Sequence, residues 1–170
     1  MKKEKKMNKT VLAICVIIST FLTLSLPAAA KNTVSPPVTV EIKGSRIICF
    51  EDGSTLTISA PRIRSVNNSK SIINSDINAE YKDSSGNLEW RYTLYATFSY
   101  QYGVSSTCTN AYYDQTIYKG NWTFSNDATN ISGNRGTGTG LYEKKFLFIT
   151  IQSINVNLTM ACDIYGNITA

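Results

Sequence analysis

The sequence predicts an all-β protein: an antiparallel immunoglobulin-like β-sandwich that follows an N-terminal signal-peptide helix. Three observations lead to this prediction. Apolar and polar residues alternate in many short segments, clusters of glycine, asparagine and aspartate separate these segments, and no part of the exported chain shows a convincing helical period. The clearest segment is 90–100, in which Trp90, Tyr92 and Phe98 share one parity with the other apolar residues. A period of two with apolar residues on one side is typical of a strand that buries one face.

The first thirty residues have the organisation of a signal peptide. A lysine-rich start precedes an apolar run from Val11 to Leu26, and Ala28, Ala29 and Ala30 supply a cleavage site. An uncleaved membrane anchor is the alternative, because the run approaches the length of about 20 residues that a spanning helix needs. The alanine site favours cleavage. We therefore expect a secreted protein that meets a membrane only through the signal peptide, before cleavage.

The basic composition of the chain comes from this leader. The whole sequence has 17 basic and 12 acidic residues, and residues 1–30 contain five of the basic ones and one of the acidic ones. The exported part keeps 12 basic and 11 acidic residues, a net charge of +1. This charge gives no reason to expect nucleic acid or an anionic membrane as a partner.

The exported chain, residues 31–170, has the length of a single β-sandwich domain. Residues 31–37 are polar, end in two prolines and are expected to form a flexible lead-in. Residues 38–42 alternate and predict a first strand. The segments 46–50 and 55–59 predict a hairpin, because the turn sequence Glu-Asp-Gly-Ser separates them.

The middle of the chain, residues 62–82, is less regular than its neighbours. Its apolar residues are unevenly spaced among asparagine, serine and aspartate. We expect a loop with one or two short edge strands, and a short helix at 74–81 is the alternative. A strong turn sequence at 83–87 then introduces the 90–100 strand.

The second half of the chain predicts a series of strands and turns. They are a loop at 109–114, a strand at 116–124, a turn at 125–127, a glycine- and threonine-rich strand at 129–141, a hairpin tip at 143–145, a strand with strict alternation at 154–162 and a closing turn at 163–167. Gly136, Gly138 and Gly140 share one parity. Glycine inside a strand often marks a bulge or a close approach of another chain segment.

Three cysteines follow the leader, Cys49, Cys108 and Cys162. Cys162 lies on the apolar parity of its strand, and Cys108 shares the parity of Trp90 if its strand continues unbroken. We expect both thiols in the core and a disulfide between them, because an exported chain meets oxidising conditions. Such a bond contributes about 4 kcal/mol in the chain-entropy model. Cys49 is expected to be a small buried residue.

Three segments between residues 88 and 168 resemble a family of short exported proteins of Gram-positive (Firmicutes-type) bacteria whose function is uncharacterised. The segments are the Tyr-Thr-Leu-Tyr-Ala-Thr-Phe-Ser-Tyr strand at 92–100, Ser-Ser-Thr-Cys at 105–108, and Leu-Thr-Met-Ala-Cys-Asp-Ile-Tyr-Gly-Asn at 158–167. The resemblance implies export, an all-β fold and the Cys108–Cys162 pairing. It implies no activity.

Several kinds of catalytic site are excluded by composition. The chain has no histidine, which removes Ser-His-Asp and Cys-His machinery and the commonest zinc ligand. We expect no metal and no cofactor. The spacing Asp76-x-Asn78-x-Glu80 imitates the start of a calcium loop, but Tyr81 stands where that loop needs glycine. A chance spacing explains it better.

Paired carboxylates are the remaining route to catalysis, since two of them can hydrolyse a glycosidic bond. The candidates lie at predicted strand ends and turns, where acidic residues are normally just solvated. They are Glu41, Glu51, Asp52, Glu89 and Asp114.

Aromatic residues are the candidates for a binding site. Amphipathic rings bind a sugar or peptide at little entropic cost, so a set of them can form a recognition platform. The proposed members are Tyr95, Tyr112, Tyr113, Tyr118 and Trp122. The alternative is that tyrosine simply suits half-buried sheet surfaces.

The first functional hypothesis is a secreted, non-enzymatic binding module, with a glycan, a cell-envelope component or another protein as the partner. A secreted hydrolase that uses carboxylates is the second hypothesis. A small secreted toxin or bacteriocin-like effector is the third. The lack of histidine and of an acidic motif favours binding over catalysis.

Overall fold

The computed structural model describes residues 38–41, 45–67 and 71–170. The predicted signal peptide and lead-in lie outside these residues. Eleven strands lie in the described part of the chain. In chain order they are β1 (Val38–Glu41), β2 (Arg46–Cys49), β3 (Thr55–Ile58), β4 (Arg62–Asn67), β5 (Ile72–Lys82), β6 (Leu88–Gln101), β7 (Ser105–Ile117), β8 (Trp122–Ser132), β9 (Arg135–Phe146), β10 (Ile149–Cys162) and β11 (Ile168–Thr169).

The strands form two sheets. Sheet A has the order β1-β10-β9-β8, with β11 also paired to β10, and sheet B has the order β2-β3-β5-β6-β7, with β4 also paired to β5. The pairing is antiparallel, with the exception of β1, which runs parallel to β10. The prediction of an all-β, sandwich-like protein is confirmed. The described residues include no helix long and apolar enough to cross a membrane.

The core lies between the inner faces of the two sheets. The even-numbered residues 90–98 of β6 and 154–162 of β10 are all buried, as their alternation predicts. Trp90 lies at the centre: its ring stacks on Tyr142 with centroids 3.8 Å apart and on Tyr81 at 5.6 Å. Stacked aromatic pairs contribute about 0.5–1.5 kcal/mol each beyond the area that they bury. The aromatic stack therefore connects β5 and β6 of sheet B to β9 of sheet A.

Glycines on the inner face of β9 let the sheets approach each other. A Cβ atom on Gly138 would lie 2.6 Å from Oη of Tyr92 and 2.9 Å from Cδ1 of Leu94. A Cβ atom on Gly136 would lie 3.1 Å from Sγ of Cys108. These distances are shorter than van der Waals contact. The alternating glycines thus mark a close approach of the two sheets. This is one of the two explanations that the sequence suggests, and a bulge is the other.

A shared turn motif closes two of the hairpins. In the sequences Asp-Ser-Ser-Gly-Asn (83–87) and Asp-Ile-Tyr-Gly-Asn (163–167), the aspartate Oδ1 accepts hydrogen bonds from the backbone amides two and four residues later. The glycines, Gly86 and Gly166, have φ angles of +84° and +85°. Glycine adopts this left-handed conformation without steric cost. Both turns lie where the sequence predicts them.

The middle of the chain differs from the prediction. Residues 72–82 form the eleven-residue strand β5 of sheet B, so the expected loop and the alternative helix at 74–81 are both wrong. The pattern is hard to read because polar Ser75 and Asp76 are buried beside Ile73 and Ile77. The preceding edge strand, β4, is confirmed. The first strand, β1, belongs to sheet A, whereas the β2–β3 hairpin that follows it belongs to sheet B.

The second half differs from the prediction in the positions of its turns and in the lengths of its strands. The β7–β8 turn at 118–121 divides the predicted strand at 116–124, and the β8–β9 turn at 133–134 divides the predicted strand at 129–141, so both of these strand predictions are wrong. β7 runs through the expected loop at 109–114, and β8 runs through the expected turn at 125–127, where the pairing with β9 shifts and Asn126 adopts a φ of +52°. β9 continues past the expected hairpin tip at 143–145. The turn instead lies at Leu147 and Phe148, between paired residues Phe146 and Ile149. Apolar residues rather than lysines therefore form the hairpin tip.

Cys108 and Cys162 are both buried, as predicted, but their thiols are free and the expected disulfide is not formed. Each Sγ donates instead to a backbone carbonyl, that of Asn110 for Cys108 and that of Asp163 for Cys162. The hydroxyl of Ser106, two residues before Cys108, lies near the Cys162 thiol. The two strands thus place the cysteines in one interior without joining them. Cys49 is exposed, so the prediction that it is buried is wrong.

Candidate functional site

A cleft of about 260 Å³ lies on the outer face of sheet B. β4, β5, β6 and β7 contribute its walls. The lining residues are Arg64, Ser65, Asn74, Ser75, Tyr95, Ala96, Thr97 and Tyr112. We call this feature the tyrosine cleft. It includes two of the five aromatic residues that the sequence singles out, Tyr95 and Tyr112.

The strand register places the two tyrosines of the cleft in one row with a neighbouring ion pair. Arg62, Asp76, Tyr95 and Tyr112 are successive lateral neighbours on β4, β5, β6 and β7. Arg64 stands in the irregularity of β4 between Ile63 and Ser65. Outward-facing neighbours in such a row lie close enough to interact across the strands. Residues far apart in sequence therefore act as one surface.

The aromatic part of the cleft is a stacked pair with a cation beside it. The rings of Tyr95 and Tyr112 have centroids 4.8 Å apart and planes inclined by 17°. The guanidinium carbon of Arg64 lies 5.2 Å from the Tyr95 centroid, which is within cation–π distance. Tyr112 is 51% exposed and half of the Arg64 side chain is also exposed. The cleft therefore offers an open ring and an accessible guanidinium side by side.

A buried carboxylate lies beside both arginines. The Asp76 side chain is 1% exposed, although it belongs to the outward-facing parity of β5. Arg62 donates to both of its oxygens, at 2.9 and 3.3 Å, while Nε of Arg64 lies 3.8 Å away. Arg62 thus neutralises Asp76 through a bidentate ion pair. Arg64 leaves its remaining donors available, and the three groups together carry a net charge of +1.

The polar side of the cleft is a hydrogen-bonded chain. Asn74 accepts a hydrogen bond from Oγ1 of Thr97 at 2.8 Å and donates one to Oγ of Ser65 at 2.8 Å. These bonds fix the orientation of the Asn74 amide. Hydroxyl oxygens of Ser65 and Thr97 keep lone pairs that can accept from a ligand. The site thus combines an aromatic face, a cation and oriented hydroxyls.

This combination suits a ligand with both an apolar face and an anionic group. Sugars present such a face to aromatic rings, and guanidinium groups bind carboxylate or phosphate oxygens through paired donors. No group of histidine, cysteine, aspartate and glutamate side chains in the described chain could hold a metal ion. The cleft therefore offers an aromatic face, a guanidinium and hydroxyl groups as its contact surfaces.

The other three aromatic candidates lie elsewhere. Trp122 is buried in the core, Tyr113 stacks on Tyr92 at 5.4 Å on the inner side of β7, and Tyr118 is 48% exposed in the β7–β8 turn. Tyr113 donates a short hydrogen bond to Asp127. The five residues do not form one platform. β7 presents Tyr112 and Tyr113 to opposite faces because consecutive residues of a strand alternate.

The candidate carboxylates are not brought into the tyrosine cleft. Asp52 accepts hydrogen bonds from the backbone and side chain of Ser54, and these bonds lower its pKa. Glu89 is buried and paired with Lys144 at 3.0 Å. Glu51 and Asp114 are exposed. The side chain of Glu41 lies outside the described residues.

Sequence reasoning missed Arg62, Arg64 and Asp76. They stand in the segment that was expected to be a loop, and Asp76 was considered only as part of a calcium-like spacing. One signal was available, because Arg-x-Arg at 62–64 is the densest basic cluster of the segment. Their contact with Tyr95 depends on strand pairing, which the sequence does not display.

The fold and the cleft define a class: a two-sheet, all-β domain with an arginine- and tyrosine-lined cleft on one outer face. Comparisons of the chain with protein-family models, with curated proteins and with solved structures find no match.

Proposed function

We propose that this chain is a secreted, non-enzymatic binding module that recognises an acidic glycan through the tyrosine cleft. The observation that carries the proposal is the placement of the half-exposed Arg64 guanidinium 5.2 Å from the Tyr95 ring, which stacks in turn on Tyr112. A sugar ring packs against Tyr112 while its carboxylate or phosphate accepts hydrogen bonds from Arg64. A neutral sugar can also pack against Tyr112, but it has no anionic group to accept hydrogen bonds from Arg64.

The rigidity of the cleft supports recognition. Four strands of sheet B carry its side chains, and the hydrogen bonds of Asn74 fix the polar wall before a ligand arrives. The carboxylate of Asp76, 3.8 Å from Nε of Arg64, attracts the guanidinium to the same place. A preformed site loses less conformational entropy on binding. The exposed half of Tyr112 gives the ligand a surface that is already oriented.

The test is a glycan array followed by calorimetry. The array carries neutral oligosaccharides and matched ones with uronic acid or phosphate groups. We expect binding to the acidic set, and a loss of about tenfold or more in affinity for Arg64→Ala and for Tyr112→Ala. Tyr118→Ala is the matched control, since Tyr118 is 48% exposed but lies outside the cleft. Equal binding of both sets, or equal losses for all three variants, contradicts the proposal.

The hydrolase hypothesis has less support. It needs two carboxyl groups about 5–9.5 Å apart around a substrate. Glu89 is 5% exposed and committed to Trp122 and Lys144, and none of the candidate carboxylates lines the tyrosine cleft. Incubation of the bound glycan with the protein, followed by chromatography, tests this alternative. Appearance of reducing ends that depends on Asp52 or Asp114 would favour hydrolysis.

The immunoglobulin-like type of the sandwich is a separate proposal. Two antiparallel-rich sheets with an aromatic core support it. The strand order within each sheet mostly follows the chain, as in a meander, whereas immunoglobulin domains use Greek-key connections. An experimental structure tests this point through the path of the chain between the sheets.

A further inference from the structure

The β9–β10 hairpin ends in an uninterrupted apolar tip, which we define as residues 146–149. Phe146 is 65% exposed, Leu147 is 78% exposed and Phe148 is 99% exposed. Ile149 is also exposed, as is Ile151, which stands where the β9–β10 register shifts. Single exposed apolar residues are ordinary on protein surfaces. A contiguous set at one protruding point is a feature of interaction sites.

The hairpin tip projects beyond the rest of sheet A. The last residue pair between β8 and β9 joins Trp122 to Lys144, so residues 146–149 extend past the neighbouring strand. Leu147 has a φ of +56°. Glycine or asparagine usually occupies such a turn position, because a larger side chain is strained there. The chain thus places leucine and phenylalanine in a turn where local preference favours small or polar residues.

The surroundings of the tip combine aromatic and charged side chains. Lys144 is paired with the buried Glu89, and Lys145 lies 3.9 Å from Glu143 in a partly exposed ion pair. The backbone N–H of Lys145 donates to the carbonyl of Asn121 at 2.8 Å, which ties the hairpin to the β7–β8 turn. That turn presents Tyr118 and Lys119, both exposed. Tyrosine and lysine beside an apolar segment match the layers of a membrane interface, where rings lie at headgroup depth and ammonium groups meet phosphates.

We infer that the β9–β10 hairpin tip inserts into a lipid bilayer, with Phe148 and Leu147 among the acyl chains and Lys119 and Lys145 at the phosphates. The tip is convex and narrow, so a fluid apolar layer accommodates it without a preformed pocket. From the sequence alone, membrane contact is expected only through the signal peptide. This site is independent of the tyrosine cleft, which belongs to the other sheet.

A tryptophan placed at the tip provides a local probe. Phe148→Trp is compared with Val104→Trp in the full chain, because Val104 is 65% exposed in the β6–β7 turn, a hairpin end with no comparable apolar run. Vesicles contain phosphatidylcholine and phosphatidylglycerol, with bromine on the acyl chains as a quencher. We expect quenching and a blue shift for Phe148→Trp and neither for Val104→Trp. The native Trp90 and Trp122 are buried and shielded from the lipid.

A second pair of variants measures affinity. Phe148→Ser is expected to weaken vesicle binding by about tenfold or more, the loss that follows from leaving one phenylalanine unburied. Thermal unfolding should be unchanged, because the Phe148 side chain makes almost no contact with the fold. The N-terminal residues are the same in all variants, so any contribution that they make to vesicle binding is the same in each.

Three outcomes overturn the inference. The first is equal quenching of the two tryptophan variants, and the second is unchanged vesicle binding by Phe148→Ser. The third is concentration-dependent self-association in analytical ultracentrifugation that Phe148→Ser abolishes without vesicles, because the tip would then bind a second copy of the chain. Loss of glycan binding by Arg64→Ala leaves the inference intact, so the two proposals fail separately.

Discussion

Oε2 of Glu89 accepts a 2.7 Å hydrogen bond from the indole Nε1 of Trp122 in the interior of the sandwich. The ammonium of Lys144 lies 3.0 Å from the same oxygen. The carboxylate is 7% exposed and the lysine side chain 21%. One carboxylate from sheet B thus satisfies two donors from sheet A, and it joins the sheets at the end where the hydrophobic hairpin tip projects.

Removal of this carboxylate should destabilise the fold. Glu89→Ala leaves the Lys144 charge and the Trp122 N–H without a partner, so we expect a loss of about 2–4 kcal/mol in the free energy of unfolding. Urea denaturation measures it. Glu143→Ala is the control, because its ion pair with Lys145 is long, at 3.9 Å, and partly exposed. Glu143→Ala should lower the free energy of unfolding by less than about 0.5 kcal/mol. Equal losses for the two variants would contradict the prediction.

The close approach at Gly138 predicts a second loss of stability. Gly138→Ala forces a methyl group against Tyr92 and Leu94, and overpacking of this kind costs about 1–3 kcal/mol. Gly120→Ala is the matched control, since a Cβ atom there meets nothing within 4 Å. Thermal unfolding of the two variants should separate them clearly. If Gly138→Ala is as stable as Gly120→Ala, the two sheets lie farther apart at Gly138 than the structure shows.

Stability should decline in acid because of the two aspartate turns. Hydrogen bonds from Asn87 lower the pKa of Asp83, and hydrogen bonds from Asn167 lower the pKa of Asp163. A lowered pKa in the folded state favours the charged form, so this stabilisation is present above pH 4 and is lost as pH falls further. The double variant Asp83→Asn, Asp163→Asn keeps the acceptor oxygen. Its urea midpoint should change less between pH 7 and pH 3 than that of the native chain.

Stability should also decline in strong alkali because of two core tyrosines. Burial raises the pKa of Tyr92 and of Tyr142. The folded state therefore favours the neutral phenol, and the stabilisation is complete below the ordinary tyrosine pKa of about 10 and is lost as pH rises above it. Tyr142→Phe removes one of these groups. Its alkaline decline, followed by circular dichroism, should be shallower than that of the native chain.

The three cysteines should differ in reactivity. Cys49 is exposed, whereas burial raises the pKa of both Cys108 and Cys162 and so lowers the fraction of reactive thiolate. A thiol reagent should modify Cys49 first under native conditions. In denaturant without reductant, all three should react. If Cys49 reacts in denaturant and Cys108 and Cys162 do not, these two cysteines form the bond that the structure lacks.

The alternation of residue types predicted much of the fold. The inner faces of β6 and β10, the β2–β3 hairpin and the turns at 83–87 and 163–167 follow from period-two patterns and from Asp–Gly–Asn chemistry. The errors lie where a strand buries polar residues, where it bends, or where a turn interrupts an apparent strand. β5 buries Ser75 on its inner face and Asp76 on its outer face, and β8 shifts register at Asn126, so neither has the pattern of an ordinary amphipathic strand.

The positions of the five aromatic candidates were predicted in part. Tyr95 and Tyr112 lie together in one cleft, and a binding role for them stays a prediction. The other three were misplaced because a list of aromatic residues does not state which face each occupies. The hairpin tip was predicted at 143–145 because charged residues such as Lys144 and Lys145 are common in turns. Leu147 and Phe148 form the turn instead, and apolar residues are unusual there.

The sequence by itself determined that the chain is built mainly of strands and which side chains of β6 and β10 enter the core, because both depend on neighbours two residues apart. Only the tertiary structure decided that Arg64 lies beside Tyr95, that Asp76 is buried and bound by Arg62, and that apolar residues occupy the hairpin tip. These relationships depend on strand register and bulges, which set the lateral neighbours of residues that are distant along the chain.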